Sequence, residues 1–266
     1  MKLRAFTPIL ALLLLVATGC SSWENIAPGV GYRRISLRSG PVYVTRVDLD
    51  RARLIASSSS ERNTTVTSYA QRQDALAAIN GDYFDEGKTY EPTGIAGDAC
   101  GKWSDPTVKR NEPVVAMGRR RVEIIDPANL LQTWPSWIDG AVAGWPLLVR
   151  DCRPLSSSEL PGSDSFTRSD HPRTAVGLSR DGRTVYLVVV DGRSENAGGM
   201  TLSRLGEFLA DRLHVCTGLN LDGGGSSEMV VEGKIVNVPS DGHERPVGNF
   251  VGVVPAARQP ECAATK

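Results

Sequence analysis

Apolar and polar residues alternate along most of this chain in short segments. A period of two is the mark of a strand with one face in a core. It runs through 35–37, 42–49 and 53–56, then 113–117 and 121–125, 173–179 and 184–190, 228–231 and 235–238, and 250–254. Turn formers separate several of these runs: Arg38-Ser39-Gly40-Pro41, Gly118-Arg119-Arg120, Arg180-Asp181-Gly182-Arg183 and Glu232-Gly233-Lys234. Each predicts a hairpin. A further strand, 141–150, is broken at Gly144-Trp145-Pro146. Two stretches have helical spacing. In 67–78, Thr67 can cap and Ala70, Leu76 and Ala77 share a face. In 201–213, Thr201 can cap ahead of Leu202, Leu205, Phe208, Leu209 and Leu213. There is no internal repeat. The pattern predicts an α+β fold: a single domain with a mixed, twisted β-sheet flanked by a few helices.

Composition adds little to that picture and excludes some partners. The 27 glycines and 16 prolines suit a strand- and loop-rich chain. Thirty basic residues balance thirty acidic ones, and the longest basic run is Arg119-Arg120-Arg121, so nothing points to nucleic acid.

The first residues read differently from the rest. Lys2 and Arg4 precede the apolar run 9–17, which is too short for a stop-transfer helix. Ala17-Thr18-Gly19-Cys20-Ser21-Ser22 then resembles a bacterial lipobox. The expectation is a lipoprotein signal peptide over 1–19, lipidation at Cys20 and a linker to residue 31. A domain over 32–258 and a short tail over 259–266 follow. Ser21 after the cysteine resembles the sorting pattern of outer-membrane lipoproteins, so the domain is expected to face the periplasm on a lipid anchor. Four cysteines remain: Cys100, Cys152, Cys216 and Cys262. An even number in an oxidising compartment predicts two disulfides. Three connectivities exist; Cys100–Cys152 with Cys216–Cys262 is preferred because each joins neighbouring parts of the chain.

The chemistry gathers where strands stop. Leu219-Asn220-Leu221-Asp222-Gly223-Gly224-Gly225-Ser226-Ser227 leaves a strand through an acid, three glycines and two hydroxyls. Three consecutive glycines call for a backbone reason, such as positive φ or close approach of a ligand. Ile79-Asn80-Gly81-Asp82 and Val190-Asp191-Gly192-Arg193 end in the same way, and Arg245-Pro246-Val247-Gly248-Asn249 leads into a strand. Four such segments predict one rim of a sheet where loops build a site.

Taken in order, Asn80-Gly81-Asp82-Tyr83-Phe84, Pro172-Arg173-Thr174-Ala175-Val176-Gly177, Val190-Asp191-Gly192-Arg193, Thr201-Leu202, Leu221 to Ser227 and Arg245 to Asn249 resemble the phosphodiester glycosidase domain family. The resemblance covers roughly 35–255. The family commonly has glycine and phenylalanine where Asp82 and Tyr83 stand here. The resemblance implies hydrolysis of a sugar-1-phosphodiester at its anomeric C–O bond, giving a free sugar and a phosphomonoester.

The residue types suit that chemistry on independent grounds. Arginine forks match phosphate, which nominates Arg173, Arg193 and Arg245, one of which is expected to serve only a salt bridge. A phosphomonoester leaves as a stable anion and needs little protonation, so one essential carboxylate suffices. Asp222 is assigned as nucleophile or base, with Asp82 or Asp191 as the second acid. Substrate contacts are expected from Asn80, Gly81, Thr174, Gly223, Gly224, Gly225, Ser226, Ser227 and Asn249. Glu228 is a weaker candidate, expected on a solvated face. His171, His214 and His243 receive loop or helix-end readings, with His243 the nearest to the site. No cofactor is assigned, although Asp82, Asp85, Asp191 and Asp222 supply the hard oxygens a divalent cation takes. The alternative to an enzyme is a non-catalytic envelope lipoprotein that binds a phosphorylated glycan.

Overall fold

The computed structural model describes residues 22–104, 112–131 and 133–259. The leader, Cys20 and Cys262 lie outside the described residues. Among the described residues no helix is long and apolar enough to cross a membrane.

Three sheets share one core. The largest has eight strands, in the order Glu24–Ala27, Val30–Leu37, Gly40–Asp48, Thr184–Val190, Arg173–Ser179, Val215–Asn220, Leu147–Arg150 and Arg153–Pro154. The second runs Gly101–Lys102, Ala96–Asp98, Gly140–Ala143, Val114–Gly118, Arg121–Ile125. The third runs Lys234–Ile235, Met229–Val231, Ala77–Asn80, Phe250–Pro255, Ala52–Ala56. Tyr43, Val176, Leu187 and Leu219 of the first sheet meet Val115 and Val142 of the second and Leu54, Ile79 and Val251 of the third. The α+β, single-domain expectation holds. In place of one mixed sheet there are three, and every strand pair among the described residues is antiparallel.

The remaining faces are covered by small elements. Helix Leu202–Glu207, capped by Thr201, continues into the π-helical turn Phe208–Arg212. It seals Val42, Val44, Val188 and Val190 on the outer face of the large sheet. Helix Val66–Arg72 covers Ala78, Val230, Phe250 and Val254 of the third, where Tyr69 stacks on Phe250 at 4.7 Å. This helix is shorter than its apolar spacing suggests, and its cap is Thr65 rather than Thr67. Residues 77–78 are strand instead, fully buried between Met229–Val231 and Phe250–Pro255. Alanines satisfy both periods, and pairing on two sides decided between them. The expected linker is also partly folded, because Glu24–Ala27 forms the outermost strand of the large sheet.

The preferred disulfide pairing is corrected. Cys152 bonds Cys216, 64 residues away. Strand Leu147–Arg150 lies beside Val215–Asn220, and the Cys152 N–H donates to the Cys216 carbonyl at 2.9 Å. Sheet register, not closeness along the chain, brings the thiols together. Cys100 is also disulfide-bonded.

One charge lies deep in the fold. Arg53 is 1% exposed and donates through Nη2 to Asp139 at 2.6 Å, a pair that ties the third sheet to the second. Removing one partner of such a pair strands the other. Asp139→Ala is expected to lower stability by about 3 kcal/mol or more in urea unfolding, and the double variant Arg53→Met/Asp139→Ala by less.

Candidate active site

The expected rim forms. Sheet register sets Arg173 opposite Val190, Ala175 opposite Asn220 and Phe250 opposite Asn80. Four strand ends therefore meet at one place. Asn80, 1% exposed, is the knot. Its Nδ2 donates to the Asp222 carbonyl at 2.8 Å; its Oδ1 accepts from the Thr174 hydroxyl at 2.8 Å and the Glu228 N–H at 3.3 Å. The next residue continues the tie: Gly81 N–H donates to the Asn249 carbonyl at 2.9 Å, and the Asp222 N–H donates to the Gly81 carbonyl at 3.0 Å. A Cβ at Gly81 would overlap the Asn249 amide, which explains the glycine.

Asp222 is half-buried at the end of strand Val215–Asn220. Burial pushes its carboxyl up to about 6, against the pull of the Ser226 hydroxyl, the Gly223 N–H at 2.8 Å and the Arg245 charge. A carboxyl that titrates near neutrality beside fixed donors can act as base or nucleophile. Gly224 follows at φ +62° with the Arg193 guanidinium beside it. Arg193 itself sits at φ +58°, a strained conformation for a side-chain-bearing residue, and Nη2 lies 3.3 Å from His171 Nδ1. Among the described residues Arg193 has no carboxylate within salt-bridge distance. Gly225 lies under Arg245, whose Nε and Nη2 donate to Asp241 at 3.0 and 2.5 Å and whose Nη1 reaches Glu86 at 3.3 Å. A Cβ on Gly225 would overlap both the Asp241 carboxylate and the Arg245 guanidinium.

The remaining candidates divide into those at the rim and those consumed by the fold. Arg173 is 2% exposed and carries no salt bridge among the described residues. It donates to the carbonyls of Met200 (2.9 Å), Phe166 (2.7 Å) and Ser169 (3.1 Å). Burial lowers its pKa to about 10. It therefore staples the 155–172 loop, which leaves Arg193 and Arg245 as the candidate arginines at the rim. Asp82 is 1% exposed; its oxygens accept the Tyr83 and Gly94 N–H groups at 2.7 and 2.8 Å. Burial and then the Glu112 charge hold it well above the usual carboxylate range. Asp191 is 4% exposed and accepts from the Tyr43 hydroxyl (2.9 Å) and the Val238 N–H (3.0 Å). The two expected second acids thus hold backbone and loops. Asn249 Oδ1 accepts the Asp82 N–H at 2.7 Å, while its Nδ2 and the Ser227 hydroxyl are buried with no hydrogen-bond partner among the described residues.

Several functional neighbours were not legible. Glu86 is an exposed loop residue whose charge acts on Asp222. His171 reaches Arg193 only because the 155–172 loop folds back. Tyr83 donates to the Trp145 carbonyl at 2.8 Å and accepts from Asn220 at 2.7 Å, locking the loop of Trp145 to the site. Glu228 is buried at 3% exposure, not on a solvated face. His243 is exposed and bonds the Asp241 carbonyl. Among the described residues no three acidic, histidine or cysteine side chains gather as a metal site. Asp85 instead pairs with Lys88 at 3.8 Å.

Comparison with known proteins bears on this constellation. The profile of the phosphodiester glycosidases matches residues 73–254. The SPbeta prophage-derived uncharacterized protein YomE of Bacillus subtilis is 33% identical over 198 residues, 69% of this chain and 28% of that protein. The human N-acetylglucosamine-1-phosphodiester alpha-N-acetylglucosaminidase is 26% identical over 198 residues, 68% of this chain and 37% of that protein. The chain spans between 26% and 37% of the length of the curated relatives it matches. The zebrafish N-acetylglucosamine-1-phosphodiester alpha-N-acetylglucosaminidase catalytic domain, auto-inhibited by its pro-peptide, has the same fold. It gives a TM-score of 0.64 at 19% identity, with 84% of this chain and 81% of that chain covered. A putative exported protein from Burkholderia pseudomallei K96243 gives 0.59 at 17% identity, covering 85% and 74%. Since the family profile reaches from the end of helix Val66–Arg72 into the last strand, more than half of the chain, and takes in all four segments of the rim, the chain belongs to the phosphodiester glycosidase family.

Proposed function

We propose that this protein hydrolyses the anomeric C–O bond of a sugar-1-phosphodiester, with Asp222 as the working carboxylate. The observation that carries the reading is the setting of Asp222: a carboxyl raised to about 6, flanked across three glycines by Arg193 and Arg245. Family membership and similarity to N-acetylglucosamine-1-phosphodiester alpha-N-acetylglucosaminidases support it. Arg193 and Arg245 hold the phosphodiester, and their charges stabilise the phosphomonoester as it departs. Water, activated by Asp222, adds its oxygen to the anomeric carbon; the bonding pair of the cleaved C–O bond stays on the phosphate oxygen. In the nucleophilic variant of this course Asp222 attacks first and water then releases the sugar. Both courses need Asp222 ionised. The Gly223 to Gly225 turn lets the substrate approach the backbone, and Glu86 and Asp241 hold Arg245 in place.

Hydrolysis of an N-acetylglucosamine-1-phosphodiester in ¹⁸O-labelled water tests the reading. Label in the sugar supports it; label in the phosphate overturns it in favour of cleavage on the phosphorus side. Binding of a panel of such diesters without turnover would instead favour the glycan-binding reading. Asp222→Asn is expected to lower kcat/KM at least about a hundredfold with the fold retained by circular dichroism. In the unaltered protein kcat/KM falls as the pH drops through about 6, where Asp222 takes up its proton. Gly225→Ala, which displaces Arg245, is expected to raise KM about tenfold or more with a smaller effect on kcat.

A further inference from the structure

The segment 238–249 carries Arg245 over Asp222, yet few bonds of its own hold it there. Its ends are fixed by the Val238 N–H to Asp191 at 3.0 Å and by Val247, paired with Asn63 and Thr64 through backbone bonds of 3.0 Å. Between them Arg245 bonds mainly within the segment, to Asp241, and outward to exposed Glu86. The inward tether is Glu244. Its carboxylate accepts the Thr67 N–H at 3.2 Å, at the start of helix Val66–Arg72, and meets the carboxyl of Glu228 within hydrogen-bonding reach.

Glu228 cannot move to accommodate its partner. Its N–H is bonded to Asn80, and the following strand, Met229–Val231, is in register with Ala77–Ile79. It is 3% exposed, and among the described residues no donor bonds its Oε1. Two carboxylates facing each other in a buried place repel unless a proton lies between them. Glu244 is partly exposed and already accepts an N–H, so the proton belongs on Glu228.

We propose that Glu228 is a positioning residue: as a neutral carboxyl donating to Glu244, it latches the 238–249 segment against the fold and so keeps Arg245 beside Asp222.

The charges agree with the geometry. Burial first, then the hydrogen bond and the charge of Glu244, push Glu228 up to about 9. Burial would raise Glu244 as well, but hydrogen bonds from Glu228 and Thr67 bring it below the ordinary glutamate range. Glu244 is the charged group that faces Glu228; helix Val66–Arg72 contributes the Thr67 N–H, and the neighbouring strand end contributes the Asn80 amide. Because the folded pKa of Glu228 lies above the unfolded one while Glu244 is held ionised, the latch is intact at neutral pH and is lost as the pH rises through about 9.

Glu228→Gln tests this, since glutamine keeps an N–H donor for Glu244 and cannot ionise. Two readings are taken between pH 7 and 9.5: KM for the sugar phosphodiester, and hydrogen exchange of the 238–249 peptides corrected for intrinsic rate. In the unaltered protein KM is expected to rise about tenfold or more and the segment to lose protection. In Glu228→Gln both changes flatten, and in Glu228→Ala KM is high already at pH 7. The same alkaline rise in Glu228→Gln, or unchanged protection of 238–249 in the unaltered protein, overturns the latch. Glu244→Gln, which places the donor on the segment instead, serves if Glu228→Gln does not fold. The inference rests on the proposed activity only in its KM arm. If no sugar phosphodiester is turned over, the exchange arm decides the latch alone, and the functional reading fails separately.

Discussion

The side chain of Asn80 is the interaction on which the site depends. One buried amide holds the Asp222 carbonyl, the Thr174 hydroxyl and the Glu228 N–H, and so joins the end of the third sheet to two strands of the large one. A buried polar group left without a partner costs about 1–3 kcal/mol, so this node is satisfied as a whole or not at all. Its consequence is positional. Asp222 leaves its strand at an angle fixed from two sides, by Asn80 at its carbonyl and by Gly81 at its N–H. Those bonds fix the Asp222 backbone, and the Gly223 N–H holds its carboxyl at 2.8 Å.

Around that node the arginines divide their labour by burial. Arg173, the most buried of the three candidates, spends its donors on three carbonyls and shapes a loop. Arg193 and Arg245 remain at the rim, one beside the backbone of Gly224 and the other above Gly225. The glycines are the reason both can approach. A side chain at Gly225 would occupy the place of the Arg245 fork, and Gly224 takes a positive φ that other residues rarely adopt.

Buried acids surround the rim in pairs. Asp82 faces Glu112, and Glu228 faces Glu244. In both pairs burial and like charge favour the protonated form, and the proton then becomes a structural element. In the first pair Asp82 fixes the Gly94 and Tyr83 N–H groups. The second supports the segment that bears Arg245. Acids that look catalytic by type are thus sorted by whether their oxygens are already occupied.

Much of this protein could be read before its shape was known. Alternation with turn formers located the hairpins around 118–121, 180–183 and 232–234, because strand period and turn chemistry are local properties. The glycine-linked strand ends marked the rim, because a like ending on several strands is a statement about one edge of a sheet. What stayed hidden depended on partners distant in the chain. Residues 77–78 became strand only through pairing on both sides, and Cys152 found Cys216 through sheet register. Asp191 met the Tyr43 hydroxyl, 148 residues away. Glu86 and His171 joined the site because loops folded over it. Local spacing determined the elements and where each one ends. Only the packed fold decided which acids and guanidinium groups were buried and which stayed at the rim, since burial and hydrogen-bond partnership belong to the assembled neighbourhood and not to the residue.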